Sequence, residues 1–117
     1  MRIDWTDYQR VHTGRKNLLI HLLAVPLFVA GFIVIVVSVL RSTWLPATTA
    51  LAICVIALVL QAGGHRSEAQ APRPFTGPMN FLRRWFTEQF VIFPLFLLTG
   101  RWWRCYRACG KMPTDAP

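Results

Sequence analysis

Residues 17–40 read NLLIHLLAVPLFVAGFIVIVVSVL, an almost wholly apolar stretch that decides the fold class. A helix rises about 1.5 Å per residue, so this stretch is longer than the roughly 30 Å hydrocarbon core of a bilayer. A second apolar run, residues 46–62, follows a short turn and is just long enough to cross as well. The two runs predict an antiparallel hairpin of two transmembrane helices, and therefore an all-α integral membrane protein.

The composition fits a membrane domain better than a soluble one. Of the 117 residues, 54% are hydrophobic and only 15% are charged, and the apolar residues are grouped in continuous blocks. A soluble domain of this length would need a polar shell, because much of its surface faces water. We therefore expect a single membrane domain over residues 1–117.

The net charge of +8 comes from 13 Lys and Arg residues against 5 Asp and Glu residues. In a soluble protein this surplus would favour nucleic-acid binding. Here the basic residues lie between and after the apolar runs, where attraction to anionic lipid headgroups explains them more simply. We expect the lipid bilayer as a partner, and no nucleic acid.

Four further segments surround the two runs. Residues 1–16 are polar and predict an interfacial N-terminal segment, and residues 63–85 predict a Pro-rich loop. Residues 86–99 form a third apolar run of about 14 residues, which is short of the roughly 20 that a transmembrane helix needs. This run predicts an interfacial or re-entrant helix, and residues 100–117 form a basic tail.

Basic residues predict the orientation of the hairpin. The turn between the two runs carries only Arg41. The opposite end of the hairpin carries many more, namely Arg2, Arg10, Arg15, Lys16, Arg66, Arg73, Arg83 and Arg84. Because cytoplasmic loops are enriched in Lys and Arg, we expect a multi-pass protein whose N-terminus and 63–85 loop are cytoplasmic.

The chain has three histidines, and the predicted topology brings all of them to the cytoplasmic end of the hairpin. His12 precedes the first run, His21 lies about one turn inside it, and His65 follows the second run. Imidazole is a common ligand of iron, zinc and copper, and a polar ring inside a span is costly unless it is paired. The alternative for each histidine, without metal binding, is contact with lipid headgroups at the membrane interface. The spacing alone does not choose among iron, manganese and zinc.

Other polar residues lie close to this predicted metal site. Glu68 follows His65 by three residues, so on a helix the two would share a face, and Glu68 could serve as ligand or catalytic base. Asn17 either caps the first span or supports a histidine from outside the ligand set. Gln61 is expected at the end of a span. Glu88 and Gln89 could reach the site, although a solvated face fits them better.

Three motifs resemble those of the Mpo1-like (DUF962) membrane proteins. They are HTGRKNLLIHLLAVPL at residues 12–27, QAGGHRSEAQAPRPFTGPMNF at residues 61–81, and FVIFPLFLLTGRW at residues 90–102, the last being similar to the ending of short bacterial members. The resemblance implies a bacterial inner-membrane protein. It also implies an iron(II)-dependent dioxygenase that shortens long-chain 2-hydroxy fatty acids by one carbon, with His12, His21 and His65 as the motif histidines. Glu68 departs from the family spacing, because it follows the histidine by three residues instead of four.

Two functional hypotheses follow from these observations. The first is the dioxygenase, with Fe(II) as cofactor and a 2-hydroxy fatty acid as substrate. The second is a non-catalytic small membrane protein, either a metal-binding adaptor or a subunit of a complex. Stoichiometric iron in the purified protein distinguishes the two hypotheses. The sequence leaves open whether the chain forms a homo-oligomer.

Overall fold

The computed structural model describes residues 2–109, and this part of the chain is all-helical, with no strand. The prediction of an all-α protein is therefore confirmed. In chain order the elements are α1 (Trp5–Arg10), α2 (Arg15–Leu40), α3 (Trp44–Arg66), α4 (Pro78–Thr87), a π-helix (Glu88–Ile92), α5 (Phe93–Leu98) and α6 (Arg101–Cys109).

The two long helices, α2 and α3, form the predicted antiparallel hairpin. A turn at residues 41–43 joins them, with Ser42 in the left-handed region at φ 55°. Both helices are long and apolar enough to cross a membrane. Their outward faces carry exposed aliphatic side chains, as lipid contact requires, including Leu23, Leu27, Ile33, Leu51, Val55 and Val59.

A seam of small residues lets α2 and α3 pack closely. On α3 the buried positions recur at alternating intervals of three and four: Ala47, Ala50, Cys54, Ala57, Gln61 and Gly64. On α2, a Cβ added to Gly31 would lie only 2.8 Å from the Cys54 sulfur and 3.3 Å from the Ala50 carbonyl oxygen. Small residues allow this approach between helices that lipid would otherwise separate, because lipid leaves little hydrophobic force to drive their association.

The third apolar run is helical throughout and packs against α2. Residues 78–98 pass without a break from α4 through the π-helix into α5. A cluster of aromatic rings joins this segment to α2, formed by Phe28, Phe32, Trp85, Phe86 and Phe90. Whether the run crosses the membrane or re-enters stays a prediction.

Helix α6 folds back onto the N-terminal end of α2. The Trp102 indole donates a hydrogen bond to the Leu18 carbonyl oxygen at 3.0 Å, and the Arg15 guanidinium donates to the Tyr106 carbonyl oxygen at 3.1 Å. The first residues of the predicted basic tail therefore lie at the same end of the hairpin as the N-terminal segment. Residues 110–117 of that tail lie outside the described residues.

The boundaries of the second helix differ from those expected. The sequence predicts a helix over residues 46–62 that stops before Gly63-Gly64, whereas α3 continues through both glycines to Arg66. Glycine costs roughly 1 kcal/mol inside a helix, but Gly64 is buried against α2, and that packing offsets the cost. The irregular part of the predicted 63–85 loop therefore shrinks to residues 67–77, and His65 becomes a helical residue.

Candidate metal centre

Three different elements bring the histidines together. His12 follows α1, His21 lies in the second turn of α2, and His65 lies in the last turn of α3. Their ring centroids form a nearly equilateral triangle with sides of 4.9, 4.9 and 4.8 Å. One ligand atom of each ring lies within 4.8 Å of the others. This three-histidine group could hold a metal ion.

Backbone hydrogen bonds hold all three rings, and His65 makes its bond with Val11. The Nδ1 atom of His12 bonds to the Tyr8 carbonyl oxygen at 2.7 Å, and that of His21 bonds to the Asn17 carbonyl oxygen at 3.0 Å. A carbonyl oxygen only accepts, so each Nδ1 carries the proton and each Nε2 of the neutral ring keeps its lone pair. This arrangement is typical of metal-binding histidines.

Three of the other four ring nitrogens have no hydrogen-bond partner among the described residues. They are Nε2 of His12, Nε2 of His21 and Nδ1 of His65, and all three are buried. A buried polar atom without a partner costs free energy, and here three of them come from rings in mutual contact. A cation bound among them would satisfy all three, so the donor set fits a transition-metal ion.

Burial keeps the His12 ring neutral. The His12 ring stacks on the Tyr8 ring at 4.1 Å, and Phe93 and Phe96 lie beside the histidines. Burial lowers the pKa of His12 to about 3, against a smaller opposing effect of its bond to the Tyr8 backbone. The imidazole is therefore uncharged at neutral pH, which is the form that binds metals.

Asn17 connects the segments that carry the three histidines. Its backbone carbonyl holds His21, and its side-chain amide donates to the Val11 carbonyl oxygen at 3.1 Å, next to His12. Its Oδ1 faces Gly64, next to His65, so closely that a Cβ there would overlap it. Gly14, not Asn17, is the N-cap of α2. The contacts agree with a supporting role for Asn17, which stays a prediction.

Glu68 is not part of the three-histidine group. Its carboxylate accepts hydrogen bonds from the Thr13 amide and hydroxyl, both at 2.9 Å, and from the Gly14 amide at 2.7 Å. These bonds tie the segment after His12 to the end of α3. The predicted role of Glu68 as ligand or base stays a prediction, although its oxygens are occupied by three donors.

The expectation of a solvated face for Glu88 and Gln89 is wrong. Gln89 is fully buried and pairs with Gln61 through two side-chain hydrogen bonds of 2.9 and 2.7 Å. Glu88 accepts a bond of 2.7 Å from the Tyr8 hydroxyl and lies 3.9 Å from Nε2 of His12. Burial raises the pKa of Glu88 to about 7, partly opposed by the Tyr8 bond. The sequence did carry a signal for this buried pair, because Gln61 and Gln89 are polar residues within apolar runs.

A cleft leads to the histidines from the surface. Its volume is about 960 Å³, and His12, His65, Tyr8 and Glu88 line its inner part. His21 is not among its lining residues and has no exposed surface. The other walls combine apolar side chains with charged residues, including Leu58, Val59, Phe75, Phe81, Trp85, Ile92, Arg2, Arg10, Arg73, Arg83, Arg84, Asp4 and Asp7. Asp7 forms ion pairs with Arg10 and Arg73, which leaves a surplus of arginines. We call this space the histidine cleft.

Comparison with known proteins gives one family. The family model described as Mpo1-like: 2-hydroxy-palmitic acid dioxygenase Mpo1-like matches residues 1–101. The match covers α1 to α5 and thus all three histidines, and it confirms the predicted resemblance. No curated protein and no solved structure matches the chain.

Proposed function

The chain belongs to the Mpo1-like family, and from this premise we propose that it is an iron(II)-dependent dioxygenase acting on 2-hydroxy fatty acids. The observation that carries the proposal is the group of three clustered imidazoles, each with a buried nitrogen that lacks a partner among the described residues, beside a large cleft. The family description supports the substrate class, a 2-hydroxy acid with a long alkyl chain.

His12, His21 and His65 would hold the metal ion. Neutral imidazoles suit iron(II) as well as zinc and copper. The family description names a dioxygenase, and we choose iron(II) because ions of this kind with open positions serve non-haem oxygenases. Bound iron(II) would supply the redox chemistry with dioxygen that oxidative shortening requires. The carbonyls of Tyr8 and Asn17 hold two rings in the required tautomer, and burial of His21 excludes water from the innermost position.

The histidine cleft supplies both kinds of surface that a fatty acid needs. Leu58, Val59 and Trp85 provide an apolar wall for the alkyl chain, and exposed Val59 continues this wall to the lipid-facing side of α3. The arginines of the cleft would attract the carboxylate, since guanidinium pairs well with carboxylate groups. The acid would lie with its polar end toward His12 and His65 and its chain toward the bilayer.

The resemblance to short bacterial members leads us to propose an inner-membrane protein, and the basic residues support a cytoplasmic N-terminus and a cytoplasmic histidine cleft. A reporter fused after residue 117 is expected to read as cytoplasmic, because α6 packs against the N-terminal end of α2 and basic segments remain inside. A reporter inserted at residues 41–43 is the control and should read as periplasmic. A periplasmic signal from the C-terminal fusion would contradict the proposed topology of the third apolar run.

Aerobic conversion of 2-hydroxypalmitate tests the function. Purified protein supplied with ferrous iron should release the acid that is one carbon shorter, and the atoms balance if one O₂ is consumed and carbon dioxide and water are released. Palmitate, which lacks the 2-hydroxyl group, should not react. Arg104→Ala changes an exposed residue of α6 and should act like wild type. If wild type retains no stoichiometric iron and forms no product, the adaptor hypothesis replaces the enzyme.

A further inference from the structure

Glu88 and His12 present two acceptors to each other in a largely buried space. Nε2 of His12 keeps its lone pair, because Nδ1 donates to the Tyr8 carbonyl oxygen. Oε1 of Glu88 accepts from the Tyr8 hydroxyl and lies 3.9 Å from that Nε2. The distance is too long for a hydrogen bond, which is about 2.7–3.2 Å for such atoms. An ionised Glu88 and the lone pair of His12 repel each other unless a cation or a proton lies between them, and a metal ion at the three-histidine group is such a cation.

The position of Glu88 is set by the backbone around it. Glu88 is the first residue of the π-helix Glu88–Ile92, and π-helical turns occur frequently at functional sites. The next residue, Gln89, is fixed against α3 by its paired amide bonds to Gln61, one turn before His65. The amide pair therefore locks the turn that carries Glu88 to the helix that carries His65.

Glu68 is the competing carboxylate, and it is engaged elsewhere. Three donors of Thr13 and Gly14 take three of the roughly four lone-pair sites of its carboxylate, so Glu68 has less acceptor capacity left than Glu88. Glu88 has one hydrogen-bond donor in the part of the chain that the structure describes, the Tyr8 hydroxyl. That leaves it acceptor capacity, since an ionised carboxylate offers about four lone-pair sites.

We propose that Glu88, rather than Glu68, supplies the carboxylate ligand of the metal centre and completes a set of three imidazoles and one carboxylate, oriented by Tyr8. The inference rests on the proposed function, because it requires a divalent metal at the three-histidine group. It also balances charge: one divalent ion, one carboxylate ligand and one substrate carboxylate sum to zero. A neutral set of this kind is favourable in a site where burial penalises any net charge.

Titration of the metal-free, full-length protein with Co(II) tests the proposal without relying on activity. Glu88→Gln keeps the shape and an oxygen that accepts from Tyr8. Loss of a residue that supports a metal ligand weakens metal binding by about 10–100-fold, and loss of a ligand should weaken Co(II) binding at least as much. The visible absorption spectrum of the bound Co(II) should also change. Glu68→Gln is the matched control and should keep both the affinity and the spectrum of wild type.

The outcomes separate this inference from the proposed function. The inference would be overturned if Glu88→Gln bound Co(II) with the affinity and spectrum of wild type. It would also be overturned if Glu68→Gln lost that affinity and spectrum while Glu88→Gln kept them. If wild type binds no stoichiometric Co(II) or Fe(II), the proposed function fails as well.

If Glu88→Gln does not fold, infrared spectra of the carboxylate stretching band test the inference instead. The metal-induced shift must appear in wild type and persist in Glu68→Gln, and its absence from either would overturn the inference.

Discussion

His21→Ala is expected to abolish metal binding and, with it, conversion of 2-hydroxypalmitate. His21 has no exposed surface and does not line the histidine cleft, so water cannot readily replace the lost ligand. The change would leave only His12, His65 and the proposed ligand Glu88 to hold the ion. We expect metal affinity to fall more than about 100-fold, beyond the range for loss of a supporting residue.

Metal-dependent stabilisation measures this loss apart from folding. A ligand at 100 times its Kd stabilises a protein by about 2.7 kcal/mol, so Fe(II) or Co(II) should raise the unfolding temperature of wild type and leave that of His21→Ala unchanged. Leu23→Ala is the control, since it truncates an exposed side chain on the same helix. Wild-type stabilisation and turnover in His21→Ala would contradict both the metal site and the enzyme.

The three histidines should not be equally sensitive. His65 is partly exposed and lines the cleft, so added imidazole could enter and occupy the space left in His65→Ala. We expect imidazole to restore part of the metal affinity of His65→Ala and none of that of His21→Ala. The difference follows from access to the two positions, since the side chains are chemically the same.

Gly64→Ala is expected to damage the metal centre although Gly64 binds no metal. The new Cβ would overlap Oδ1 of Asn17, and Asn17 is held by its bonds to Val11 and His21. Either Asn17 rotates and releases Val11, or α2 and α3 move apart. Overpacking of this kind costs about 1–3 kcal/mol, more than the roughly 1 kcal/mol that Ala gains over Gly in a helix.

Gly63→Ala is the matched control, because a Cβ at Gly63 meets no atom within 4 Å. It should raise the free energy of unfolding by up to roughly 1 kcal/mol through helix propensity and leave metal affinity unchanged. Gly64→Ala should lower both the free energy of unfolding and the affinity for Co(II). Equal stability and equal metal affinity in the two variants would show that close packing at Gly64 does not set the site.

The sequence predicted that the two long helices exist better than it predicted the residues at which they begin and end. Gly63-Gly64 indicates the end of a helix when only local propensity is considered, yet α3 continues to Arg66 because Gly64 fits against Asn17. The same packing made a helical residue of His65, which was expected in a loop. A tertiary contact thus outweighed an unfavourable local preference of roughly 1 kcal/mol.

The sequence by itself determined the two apolar helices, their antiparallel pairing and the family, because length, hydropathy and motif order are local properties of the chain. It also placed the three histidines at one end of the hairpin. Only the tertiary structure showed that a second carboxylate, that of Glu88, lies 3.9 Å from His12. Glu68 is near His65 in sequence but is bound by Thr13 and Gly14. Glu88 comes from a distant segment, brought to His12 by the Tyr8 bond and the Gln61–Gln89 pair. Contacts between segments that are 28 to 80 residues apart depend on how the helices pack, and no local pattern of residues encodes them.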